Sequence, residues 1–111
     1  MRAEEEKLRA KEEYNKNLIT YEKLIQRCGV KFFIKYYVQI KRLPLKDVNI
    51  TENYPYEEKT ERLTTVKKII DSDLTEFTVK QILKDYEEIL TENEKTEAEN
   101  ILKNYCSEDE L

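Results

Sequence analysis

Apolar residues at Tyr14, Leu18, Tyr21, Ile25 and Cys28 step along the chain by four, three, four and three positions. An α-helix turns once in 3.6 residues, so this spacing lays all five on one face, the seam by which a helix packs on a neighbour. The pattern predicts a helix over residues 3–28. Lys23 and Arg27 fall in its last turns, where a cation complements the helix dipole. Gly29 then supplies a residue free to adopt the positive φ that stops a helix. Between Arg2 and Glu13 only Ala3, Leu8 and Ala10 are apolar. Residues 1–13 are therefore expected as a charged, solvated helical extension of a single helical domain over 14–111.

Residues 30–43 support two patterns. As a strand, Val30, Phe32, Ile34, Tyr36, Val38 and Ile40 share one face, and the β-branched and aromatic content suits that reading. As a helix, Lys31, Lys35, Gln39 and Arg42 form one polar stripe at steps of four, four and three. A strand this long needs a partner of similar length, and the candidates, 48–51 and 75–79, are short. The balance favours a helix, with the strand kept as the alternative.

Pro44 ends whatever precedes it, and 44–54 reads as a connector. Pro55 suits the first turn of a helix running to about Asp71 that buries Tyr56, Leu63, Val66 and Ile70. Asp73 with Glu76, and Thr91 with Glu94, each resemble a capping box, in which the first side chain and the third residue beyond it satisfy each other's free N–H groups. Val79, Ile82, Leu83, Tyr86, Ile89 and Leu90 give the clearest helical period in the chain. Ala98, Ile101, Leu102 and Tyr105 carry a last stripe. No Gly or Pro separates these two segments, so one long helix or two remain open. The expected fold is all-α, a small bundle of four to five amphipathic helices.

Composition agrees. One Gly and two Pro in 111 residues are too few for the tight turns of a sandwich or barrel. A phosphate-cradling loop needs several glycines and cannot be built. Charged residues make up 40% of the chain and mean hydropathy is −0.84, which would suggest disorder were the apolar positions not so regularly spaced. No apolar run is long enough to cross a membrane, and the charged N-terminus lacks the apolar core of a signal peptide. An intracellular, cytoplasmic setting is expected, with Cys28 and Cys106 as free, buried thiols, a disulfide between them as the alternative, and the Asn49-Ile50-Thr51 sequon idle. The tail Glu108-Asp109-Glu110-Leu111 departs from the retention signal Lys-Asp-Glu-Leu at its first residue.

Catalytic and metal-binding equipment is sparse. The chain has no histidine, which removes the commonest general base and metal ligand. Two cysteines without histidine cannot complete a zinc site. Asp71-Ser72-Asp73-Leu74-Thr75-Glu76 begins like a calcium loop, but Glu76 stands where Gly is needed and Ile82 where the bidentate Glu belongs. No enzymatic activity, cofactor or metal is expected.

One asymmetry bears on partners. From Lys23 to Lys46 there are seven basic residues and no acid, while from Asp47 onward eighteen acids face eight bases. Three readings follow: internal balance against the acidic C-terminal helices, a docking face for another protein, or a nucleic-acid surface. The docking reading draws on Arg27, Lys31, Phe32, Lys35, Tyr36, Lys41 and Arg42, since aromatics with Arg make strong interface anchors. The nucleic-acid reading uses the same stretch, 27–46, but a pI of 5.1 opposes strong non-specific binding. The sequence is thus expected to encode a small protein–protein interaction module, adaptor, regulator or inhibitor, binding another protein or itself as a homo-oligomer. A nucleic-acid-binding regulator and a structural subunit of a larger assembly are the alternatives. The bias to Lys, Glu, Ile, Asn and Tyr is that of an AT-rich genome and suits an accessory protein of a phage or mobile element.

Overall fold

The computed structural model describes residues 2–105, with side chains described from 9 to 104. Cys106 and the Glu108–Leu111 tail lie outside the described residues. Five α-helices and no strand are found among the described residues. They are α1 (Arg2–Cys28), α2 (Val30–Arg42), α3 (Tyr56–Asp71), α4 (Thr75–Asp85) and α5 (Glu92–Tyr105), with one 3-10 turn at Leu45–Asp47. α1 packs against α3, α2 and α4; α2 also packs on α3 and α5; α4 closes the bundle against α5 and α3.

The seam of α1 is buried from Tyr21 to Cys28, where Tyr21, Leu24, Ile25 and Cys28 enter the core. Residues 9–16 are all exposed, in keeping with their charge. Tyr14 is half-exposed but still tied to α4: its ring packs edge-on against Phe77 at 5.4 Å and its hydroxyl accepts from Gln81 at 2.9 Å.

A single residue separates α1 from α2. Gly29 has φ +87° and ψ 142°, accepts from Phe33 N–H as the first link of α2, and donates to Ile25 C=O as the last link of α1. Only Gly takes that φ without strain.

Residues 30–42 are helical. The polar stripe decides it: Lys31, Lys35 and Arg42 are exposed, while Phe32, Phe33, Ile34, Tyr36, Tyr37 and Ile40 are buried. A strand would have put Phe33 and Tyr37 on its charged side. Leu43, held extended at φ −115° and ψ 152° as the residue before a proline prefers, ends the helix.

α3 buries Leu63, Thr65, Val66 and Ile69, with Ile70 at the margin. Tyr56, expected inside, is 79% exposed: it stands on the first turn of α3 at the edge of an open groove shared with Leu45, Lys46 and Lys59. Asp73 does not cap α4. It sits at φ +59° just beyond α3, donating its N–H to Ile70 C=O at 3.1 Å, while Leu74 N–H reaches Ile69 C=O at 3.1 Å. This is a Schellman closure, with Leu74 and Ile69 both buried. The preceding helix has taken the residue that the capping pattern assigned to the next one.

The clearest helical period belongs to α4 only as far as Asp85; the turn after it leaves Ile89 55% exposed and returns Leu90 to the core. α4 and α5 are therefore two helices. Thr91 and Glu94 form the expected reciprocal cap: Thr91 N–H donates to Glu94 Oε1 at 2.9 Å, and Glu94 N–H to Thr91 Oγ1 at 3.1 Å.

Candidate functional site

The seven residues singled out from the basic segment divide into three places. Arg27 is exposed on the last turn of α1, in a polar groove shared with Lys23, Gln26, Glu58 and Glu61. Lys41 and Arg42 are exposed at the far end of α2. The other four, Lys31, Phe32, Lys35 and Tyr36, come together in one cleft of about 580 Å³ between α2, the connector and α5.

Phe32 and Tyr36 are not protruding anchors. They are 4% and 1% exposed, so they form the cleft floor and belong to the core. Beside its polar stripe, α2 packs against α1, α3 and α5, and the connector lies against Phe32 and Tyr36. The Phe32 ring lies 4.8 Å from Tyr36 and 6.0 Å from Tyr54 of the connector.

The two lysines of the rim are paired within the chain. Lys31 Nζ lies 3.5 Å from Glu94 Oε1 on α5. Lys35 Nζ pairs with Glu52, and Tyr36 donates its hydroxyl to the other Glu52 oxygen. Thr51 joins this group: its N–H and hydroxyl both contact the Tyr36 hydroxyl at 3.1 Å, and Lys35 donates to the Thr51 hydroxyl at 3.1 Å. The Lys35 ammonium and the Tyr36 hydroxyl hold the Glu52 carboxyl down at about 2. The Thr91 backbone N–H, with Lys31 adding its charge, lowers Glu94 as well. These contacts fasten the connector and the start of α5 to α2. The basic segment is balanced internally at Lys31 and Lys35 by acids from the second half of the chain.

Sequence reasoning missed the other half of the cleft: Glu52 and Tyr54 from the connector, and Asn93, Glu94 and Glu97 from α5. Glu97 makes no ion pair among the described residues. Asn93, Glu97, Asn100 and Asn104 step by four, three and four, a polar stripe whose regularity was available in the sequence.

Arg62 was missed too. Its guanidinium lies 4.6 Å from the Tyr54 ring centroid and 5.7 Å from that of Phe32. It donates to the Cys28 C=O at 2.6 Å and to Glu58 at 3.0 Å. Cys28 is fully buried, and desolvation pushes its thiol up to about 12, so at neutral pH it is a packing group. No cluster of three or more His, Cys, Asp or Glu suited to a metal ion occurs among the described residues. No helix among them is long and apolar enough to cross a membrane.

The fold and cleft define an all-α protein, with five helices among the described residues and a mixed-charge, aromatic-floored surface cleft. No family model, curated protein or solved structure matches the chain.

Proposed function

We propose that this chain is a small, non-enzymatic protein–protein interaction module, an adaptor, regulator or inhibitor, that receives part of its partner in the cleft between α2 and α5. One observation carries this reading: Lys31, Phe32, Lys35 and Tyr36, drawn from a basic aromatic segment, line a single cleft whose opposite wall holds Asn93, Glu94 and Glu97 of α5. Concave sites with an apolar floor and a few polar groups are where binding concentrates. The pairing of Lys31 with Glu94 and Lys35 with Glu52 takes two cations away from a nucleic-acid surface, which leaves that alternative with less support. The seam of α1 from Tyr21 to Cys28 and the aromatics Phe32, Phe33, Tyr36 and Tyr37 of α2 are buried in the chain's own core, so they do not support self-association.

The test is affinity purification with mass spectrometry, with a parallel nuclease-treated sample, on the wild-type chain and on Asn93→Arg. Asn93 is exposed at the cleft mouth, and an arginine there obstructs entry without touching the core. The expected result is a nuclease-resistant protein partner that the variant loses. Retention of all partners by Asn93→Arg would sink the assignment of the cleft.

A further inference from the structure

The chemistry of the cleft goes further than its location, and the step rests on the docking reading above. We infer that its occupant is an extended, basic peptide segment of the partner, laid along α5 with a Lys or Arg side chain directed at Glu97.

The charge of the cleft selects the sign of the ligand. Its rim holds two lysines and three glutamates. Lys31 and Lys35 are each matched by a glutamate, and those glutamates are further engaged by Thr91, Tyr36 and Thr51. An anionic ligand would have to pull a lysine away from its carboxylate. A cationic one meets Glu97, partly exposed and with no ion pair among the described residues, beside the rings of Phe32 and Tyr54. Those two rings are already engaged by the Arg62 guanidinium, so the incoming cation is drawn by the Glu97 carboxylate and the rings serve as the apolar floor beneath it. The chain as a whole carries a net charge of −4, a sign that favours approach of a basic segment.

The stripe on α5 selects the ligand's form. Asn93, Asn100 and Asn104 are exposed and share the face of Glu97. None of their amides is hydrogen-bonded among the described residues. An asparagine amide offers one acceptor and two donors, the complement of a peptide unit. Asn93 and Asn100 are two turns apart, about 10.5 Å along the axis, which is about three residues of extended chain. A peptide lying there exchanges backbone hydrogen bonds with the amides and presents one side chain to the cleft.

Fluorescence anisotropy with a fluorescein-labelled peptide alternating Arg and Ser, and a matched Glu-Ser peptide, tests this at near-physiological salt. The expected result is binding of the arginine peptide alone. Glu97→Lys should weaken it on the order of ten-fold or more, as loss of a close charge pair does. The double variant Asn100→Ala/Asn104→Ala should weaken it by about a factor of ten, the loss of two modest hydrogen bonds. Glu99→Lys makes the same charge change on the outer side of α5 and should alter binding little. A thermal melt checks each variant, and Glu97→Gln replaces Glu97→Lys should the reversal not fold. Preference for the glutamate peptide, no binding, or equal weakening by Glu97→Lys and Glu99→Lys overturns the inference. If partner capture is still lost in Asn93→Arg, the docking reading survives that failure.

Discussion

The Arg62 guanidinium donates to the carbonyl of Cys28 at 2.6 Å, satisfying one of the acceptors that the end of α1 leaves open. The same guanidinium stands 2.9 Å from where a Cβ on Gly29 would lie. Gly29→Ala therefore meets two obstacles, a positive φ and the Arg62 side chain. It is expected to lower stability by about 1–3 kcal/mol, read by urea denaturation. Arg62→Ala should cost about 1.5–3 kcal/mol, the range for a hydrogen bond to a charged group. The far end of a flexible side chain can yield, so the two changes should couple. Gly29→Ala in the Arg62→Ala background should cost less than alone, and strict additivity would show that the close approach carries no energy.

The Schellman closure at Asp73 gives a stabilising prediction. Asp73 holds φ +59°, a region that costs a non-glycine residue free energy. Asp73→Gly should raise stability by about 0.5–1 kcal/mol and leave the helix content by circular dichroism unchanged. A drop in melting temperature would mean that the aspartate side chain has a structural partner of its own.

At the other turn, Thr91→Ala removes the hydroxyl that accepts from Glu94 N–H. The expected loss is about 1 kcal/mol. The protection of the first turn of α5 in hydrogen exchange should fall with it, because the cap is local.

Acid sensitivity follows from Glu52 and Glu94. Both carboxyls are held below their ordinary value in the folded protein, Glu52 at about 2. The unfolded chain thus binds more protons than the folded one as pH falls below about 4.5. Their contribution is fully present above that value and is lost as pH drops toward about 2. Glu52→Gln should flatten the stability profile over this window, measured by urea midpoints from neutral to acid pH. An unaltered slope would show that the contact with Lys35 and Tyr36 is not maintained in solution.

Cys28 supplies a chemical check on burial. Fully enclosed, with its thiol pushed up to about 12, it should resist a thiol reagent in the native protein and react after unfolding. Cys28→Ala should cost about 1–3 kcal/mol through the space it leaves.

Much of this fold was legible because helical periodicity needs no tertiary knowledge. Lys31, Lys35, Gln39 and Arg42 tipped residues 30–43 toward a helix while leaving a strand open, and Thr91 with Glu94 marked the start of α5 correctly. Where the reading failed, two elements competed for one residue or one face. Asp73 fits the pattern of a cap for α4, but the end of α3 claims it first. Phe32 and Tyr36 read as an apolar face, and periodicity cannot say whether a partner or the chain's own connector covers it. Arg62 was invisible because Glu58 and Arg62 look like any exposed i,i+4 pair until Cys28 and Tyr54 are brought to them. Half of the cleft lay in the connector and α5, far along the chain from the basic segment that drew attention to it.

The exposed stretch of α1 from Arg9 to Lys16 borrows its order. Tyr14 ties these turns to Phe77 and Gln81 of α4, while the residues around it are exposed, and an isolated helix of this length is marginal in water. Their persistence is propagated from the docked turns beyond Tyr21. Opening there should cost little and rise steeply toward Cys28, so amide exchange along this one rod should slow by orders of magnitude from its free end to its docked end. One helix thus spans nearly the whole range from local fraying to global unfolding, and a binding event at its free half would register as the flattening of that gradient.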